Sequence, residues 1–116
     1  MVVFALLGGG CKASKADWIE KFEPATVDAL CMPNMYFRKC FDTDEAGCKS
    51  LAKRTVHACL DQHMSEIPDT LDTEDGRRLG GEVGECAGDA YYDDMLRNKK
   101  LVTTDKCKDP SAWIPK

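Results

Sequence analysis

Seven cysteines punctuate this 116-residue chain, and their positions constrain it more than any other feature. Cys11 directly follows a run of apolar and small residues, positions 2–10. The other six are Cys31, Cys40, Cys48, Cys59, Cys86 and Cys107. Their separations are 9, 8, 11, 27 and 21 residues, so no Cys-x-x-Cys occurs. The spacings of zinc ribbons, thioredoxin-like motifs and attached haem are therefore missing. Six cysteines can instead close three disulfides, in any of 15 connectivities. A small chain this rich in cysteine points to an oxidising compartment outside the cytosol.

Composition agrees. Every charged side chain lies after Gly10, and 20 acidic residues against 16 basic ones leave a formal charge of −4. That balance excludes non-specific nucleic-acid binding, which needs a basic surface to displace counterions. It suits a basic partner surface, or solubility alone. The chain divides into a leading segment, residues 1–10, and one small domain, residues 11–116. Large aliphatic residues are sparse in that domain, and disulfides are the usual remedy for a modest core.

The stretch Leu6-Leu7-Gly8-Gly9-Gly10-Cys11 resembles the lipobox of bacterial lipoproteins. It departs from the usual pattern: Gly8 stands three before the cysteine, where leucine is customary, and Leu7 lies one step further back. No lysine or arginine precedes it, unlike a complete secretory signal. The resemblance implies cleavage before Cys11, a lipid on its sulfur, and a protein held at the bacterial envelope facing the periplasm. The alternative is an ordinary buried segment with a free thiol. Ten residues reach about half the ~20 that a membrane-spanning helix needs.

Helical periodicity dominates the remainder. Ser14 followed by Asp17 reads as a helix start, with Trp18, Ile19 and Phe22 at helical spacing and Pro24 breaking or restarting the helix. Pro33 opens a short segment through Tyr36 and Phe37 to Cys40. The clearest helix runs from Thr43 to Ser65, capped by Thr43 or Asp44, with Cys48 and Cys59 three turns apart on one face. An acidic connection, residues 65–76, leads to a second long helix from about Glu74 to Lys99. Its expected apolar stripe is Leu79, Val83, Cys86 and Ala90, beside small residues at Gly80, Gly84 and Gly88. Alternating patterns are poor, so no strand is expected, and the tail from Leu101 reads as irregular. The fold class expected is all-α, a disulfide-stapled bundle of about four helices.

For the disulfides, Cys40 and Cys48 flank a turn and can clip the base of a helical hairpin, with Cys31 and Cys59 paired further out and Cys86 and Cys107 fastening the tail. This pattern resembles the twin-cysteine hairpins of mitochondrial import substrates, without their even nine-residue spacing.

Other constellations are weak. Cys59 and His63 share a helix face, but a bridged sulfur is no nucleophile. A reduced metal site using His57 and His63 lacks clustered ligands. The acidic runs at Asp42 and Asp75 each miss a charged position of a calcium loop, since Lys53 and Leu71 fall where carboxylates are required. No metal, cofactor or catalytic set is expected. The sequence points to a non-enzymatic protein-binding lipoprotein, comparable in type with immunity proteins that occlude a toxin. A secretion-system assembly or pilotin-type lipoprotein and a carrier of a small apolar ligand are the alternatives. Glu66, Asp69, Asp72, Glu74, Asp75, Tyr91 and Tyr92 are the candidate contact residues.

Overall fold

The computed structural model describes residues 12–109. It is all-α in class, as expected. Three long helices carry the fold: α1 (Lys15–Leu30), α3 (Glu45–Gln62) and α4 (Thr73–Arg97). Two single-turn helices, α2 (Tyr36–Lys39) and α5 (Asp105–Lys108), and a 3-10 turn, Met64–Glu66, complete the helical part. Helices α3 and α4 pack against each other most extensively, and α1 lies across both.

Local chemistry starts each helix where the sequence suggests. The Ser14 side chain accepts a hydrogen bond from Asp17 N at 3.2 Å, and Asp44 accepts from Gly47 N at 2.7 Å. Asp72 and Asp75 form a reciprocal capping box at the start of α4. At its far end the Lys100 N–H reaches Met95 O and the Lys99 N–H reaches Leu96 O. These are the two bonds of a Schellman motif, with Lys99 (φ 55°) in the left-handed position that usually goes to glycine.

Pro24 does not break α1, contrary to expectation: it sits exposed inside a continuous helix. Trp18 and Phe22 before it and Val27 after it are all buried in the same core. Packing on both sides of the proline outweighs the one backbone bond it removes. Trp18, Leu60, Leu71, Leu79, Val56, Val83 and Tyr91 are the largest fully buried side chains. In α4 the buried face runs Leu79, Val83, Ala87, Tyr91 and Met95, at steps of four. Cys86 and Ala90, expected in that stripe, flank it half-buried.

Two backbone pairings were not expected. Ala13 and Ser14 form a two-residue antiparallel ladder with Leu71 and Thr70, a stretch too short to leave alternation in the sequence. The segment after α4 bridges Phe41 through Leu101, and Val102 N donates to Cys40 O at 2.8 Å. The expected irregular tail is therefore anchored as far as Lys108. Its residues from 110 onward lie outside the described part, as do Cys11 and the lipobox-like segment.

All six core cysteines are bridged, but the pairing differs from the one the spacing suggested. The bonds are Cys31–Cys48, Cys40–Cys107 and Cys59–Cys86. Cys40 lies at the end of α2 and faces the returning tail rather than the start of α3. Cys48 instead takes Cys31, which caps α1. Loop-closure entropy gives these bonds about 3, 4.4 and 3.5 kcal/mol in that order, for separations of 17, 67 and 27 residues.

Candidate functional site

The residues proposed as contacts fall into two groups, and the structure gives them different fates. Tyr91 is a core residue, which corrects its assignment to a contact surface. Its ring is fully buried against Phe37 and Phe41, and its hydroxyl donates to Phe37 O at 3.2 Å. Burial pushes its phenol up to about 12; Arg38 acts in the opposite direction and Asp94 adds to the rise. Tyr92 is half-buried, facing Tyr36 and Phe41 within the same aromatic cluster. Two adjacent tyrosines on a helix point about 100° apart, so one enters the core while its neighbour sits at the edge.

The acidic connection is largely exposed, but part of it has structural work. Asp72 and Asp75 cap α4, and Asp75 also pairs with Arg78 at 3.7 Å. The Asp69 carbonyl accepts from Lys15 N at 2.8 Å, which continues the short ladder. Glu66 faces His63, with Oε2 2.9 Å from Nδ1. Glu74 is exposed in the first turn of α4. His57 lies elsewhere on α3, between Glu23 and Asp61.

The surface that sequence reasoning missed is an apolar groove between α1 and α4. Trp18, Phe22, Ala25, Ala29 and Leu30 form one wall. Gly76, Gly80 and Gly81 bring the α4 backbone to the floor, and Arg77 stands at the rim. Its volume is about 350 Å³, and one side opens to solvent. Two of these glycines explain the shape. A Cβ on Gly80 would stand 3.1 Å from the Phe22 ring, so that position must stay small. A Cβ on Gly81 would meet nothing within 4 Å, so the space beside it is groove. Met35 lines the mouth and is 41% exposed; Met32, three residues earlier, is 49% exposed. The small-residue series at Gly80, Gly84 and Gly88 carried the signal. Gly80 and Gly88 meet Phe22 and Phe37, and Gly84 meets nothing.

A family model described as T2SS substrate NttA matches residues 12–99. The chain belongs to this family of type II secretion system substrates. No curated protein and no solved structure matches it.

Membership in the NttA family and three disulfides together make this a small exported protein, of the envelope or the extracellular space. The export inferred from the cysteine count thus stands in its coarse form. The lipid anchor at Cys11 lies outside both the described residues and the matched segment. The family description names a substrate of a secretion system; it speaks neither of immunity to a toxin nor of pilotin-type assembly. Among the described residues no helix is long and apolar enough to cross a membrane.

Proposed function

We propose that this chain is an exported, non-enzymatic protein-binding module, and that the groove between α1 and α4 is where it holds its partner. The observation that carries this reading is an apolar trough of about 350 Å³ whose floor is helix backbone, with the exposed Met35 at its mouth. Exposed large apolar side chains next to a concavity favour a contact surface. Methionine suits such a surface because its unbranched thioether adapts to different shapes. The open side favours an apolar segment of a partner protein over an enclosed small ligand, and Arg77 at the rim suits a carboxylate next to that segment. Occlusion of another protein's active site is one form such binding would take. The lipid-anchored, toxin-blocking version of this role adds the Cys11 anchor and the acidic residues Glu66, Asp69 and Glu74 as a second contact for a basic surface.

Site-specific photo-crosslinking tests the reading. A crosslinker replaces Ala29, exposed at the groove, or Asp61, exposed on α3. The expected result is one partner protein captured from position 29 and not from 61, with capture abolished by Gly81→Leu, which fills the trough while favouring the helix. Equal capture from both positions, or capture that survives Gly81→Leu in a protein with unchanged melting temperature, refutes the assignment of the groove.

A further inference from the structure

A second constellation lies away from the groove, where α3 ends. The Cys59–Cys86 bond pins α3 to α4. One turn beyond Cys59 along α3 stands His63; one turn before Cys86 along α4 stands Glu82. With the helices antiparallel at this point, the same register that joins the two sulfurs brings His63 opposite Glu82. The 3-10 turn that follows His63 then places Glu66 beside them. One donor atom from each of the three residues lies within 4.8 Å of the other two.

The details favour an ion over a hydrogen-bonded cluster. His63 Nδ1 is shielded from water and, although Glu66 Oε2 lies 2.9 Å away, has no hydrogen-bond partner. Among the described residues, Glu82 makes no ion pair. Two carboxylates drawn to one imidazole repel each other unless a cation stands between them. We propose that His63, Glu66 and Glu82 form a zinc site. One imidazole with two carboxylates is a borderline nitrogen–oxygen set that suits Zn²⁺ better than Ca²⁺ or Mg²⁺, which take oxygen ligands alone. In a tetrahedral site with bonds of about 2.0–2.1 Å, ligand atoms lie about 3.3 Å apart. Both glutamates are exposed, so side-chain rotation closes the present spacing to that value without moving either helix. Three protein ligands leave a fourth position to water, on the solvent side. The ion clips the α3–α4 connection one turn outside the disulfide, and the site is independent of the groove.

Calorimetric titration of the metal-stripped full chain, disulfides intact, with zinc chloride tests this. One equivalent is expected to bind, and Co²⁺ in its place should give the visible absorption of a tetrahedral nitrogen–oxygen site. His63→Ala and Glu82→Gln should each weaken binding by at least about 100-fold, the upper end of what loss of an outer partner costs. His57→Ala should change nothing, because the two ring nitrogens of His57 face different carboxylates, Glu23 at 3.4 Å and Asp61 at 3.7 Å, and cannot converge on one ion. Circular dichroism confirms that each variant is folded. Absence of equimolar zinc binding overturns the proposal. So does binding that survives His63→Ala, or that follows His57.

Discussion

Gly84→Ala offers the sharpest test of why α4 contains so many glycines. Gly84 lies near the middle of the 25-residue helix Thr73–Arg97, and a Cβ placed on it would meet nothing within 4 Å. An interior helical glycine costs about 0.8–1.0 kcal/mol relative to alanine, and here no packing contact offsets that cost. The substitution should therefore stabilise by nearly that amount, a rise in melting temperature of about 3–4 °C for a chain of 116 residues. Gly80→Ala is the internal control. Its Cβ would stand 3.1 Å from Phe22 Cε1, and that ring is itself stacked on Trp18 with centroids 4.6 Å apart, both side chains buried. Overpacking of this kind costs about 1–3 kcal/mol, so the helix gain is cancelled or reversed. Thermal unfolding followed by circular dichroism, disulfides intact, should separate the two variants by at least about 1 kcal/mol. If Gly80→Ala and Gly84→Ala shift the transition equally, or Gly84→Ala lowers it, the account of the glycine floor fails.

Two more outcomes follow from the buried tyrosines and the longest disulfide loop. Burial pushes the Tyr36 and Tyr91 phenols up to about 12, with Tyr92 adding to the rise at Tyr36. The native chain therefore keeps protons that unfolded tyrosines release from about pH 10. The stability this contributes is intact below that pH and is lost as pH climbs from ten towards twelve. Urea midpoints measured across this window should fall more steeply for the native sequence than for Tyr36→Phe/Tyr91→Phe; parallel slopes would show that the phenols are not responsible. Replacing Cys40 and Cys107 together by alanine should remove about 4.4 kcal/mol, against about 3 kcal/mol for Cys31 and Cys48, given separations of 67 and 17 residues. Hydrogen exchange should then quicken first at Val102, whose amide donates to Cys40 O. A non-reducing peptide map that returned Cys40 joined to Cys48 would refute the connectivity itself.

Much of the fold was legible because it rests on short-range chemistry. Ser14, Asp44 and Asp72 announce three helix starts, since a short oxygen-bearing side chain just before a periodic run satisfies the first exposed N–H groups. The apolar residues at steps of three and four place α3 and α4 within two or three residues of their ends. What escaped was set by distant parts of the chain. Pro24 reads locally as a break, and only Trp18, Phe22 and Val27 packing on α3 and α4 carry the helix through it. The ladder of Ala13 and Ser14 with Leu71 and Thr70 joins segments more than fifty residues apart. The cysteine pairing failed for the same reason. Cys40 and Cys48 are neighbours in sequence, but Cys40 sits beside the returning segment at Leu101 and Val102, and nothing local records that return. At the groove the glycine series was visible, whereas the side on which its open space lay depended on where α1 crosses α4. The histidine–glutamate cluster was hidden likewise, since its register is set by the Cys59–Cys86 bond.

The staples and the groove belong to one physical argument. Helix α4 contains glycine at 76, 80, 81, 84 and 88, and α1 contains an internal proline; both features weaken helices that a chain of this size would need at full strength. Three disulfides supply about 11 kcal/mol by loop closure, comparable with the whole net stability of a small domain. Two of those bonds end on α3 and the third fastens the tail: Cys59–Cys86 pins α3 to α4, and Cys31–Cys48 ties α1 at its C-cap, directly after the groove residue Leu30. Helix backbone at Gly80 and Gly81, half-buried and exposed in turn, can then lie at a surface without unfolding the element that presents it. A stapled frame in an exported protein thus permits a floor made of backbone, where an unstapled bundle of this length would have to cover it with side chains. A stronger α4 should need its staple less: Gly84→Ala should partly restore the melting temperature lost with Cys59 and Cys86, by about the same 3–4 °C it adds to the intact chain.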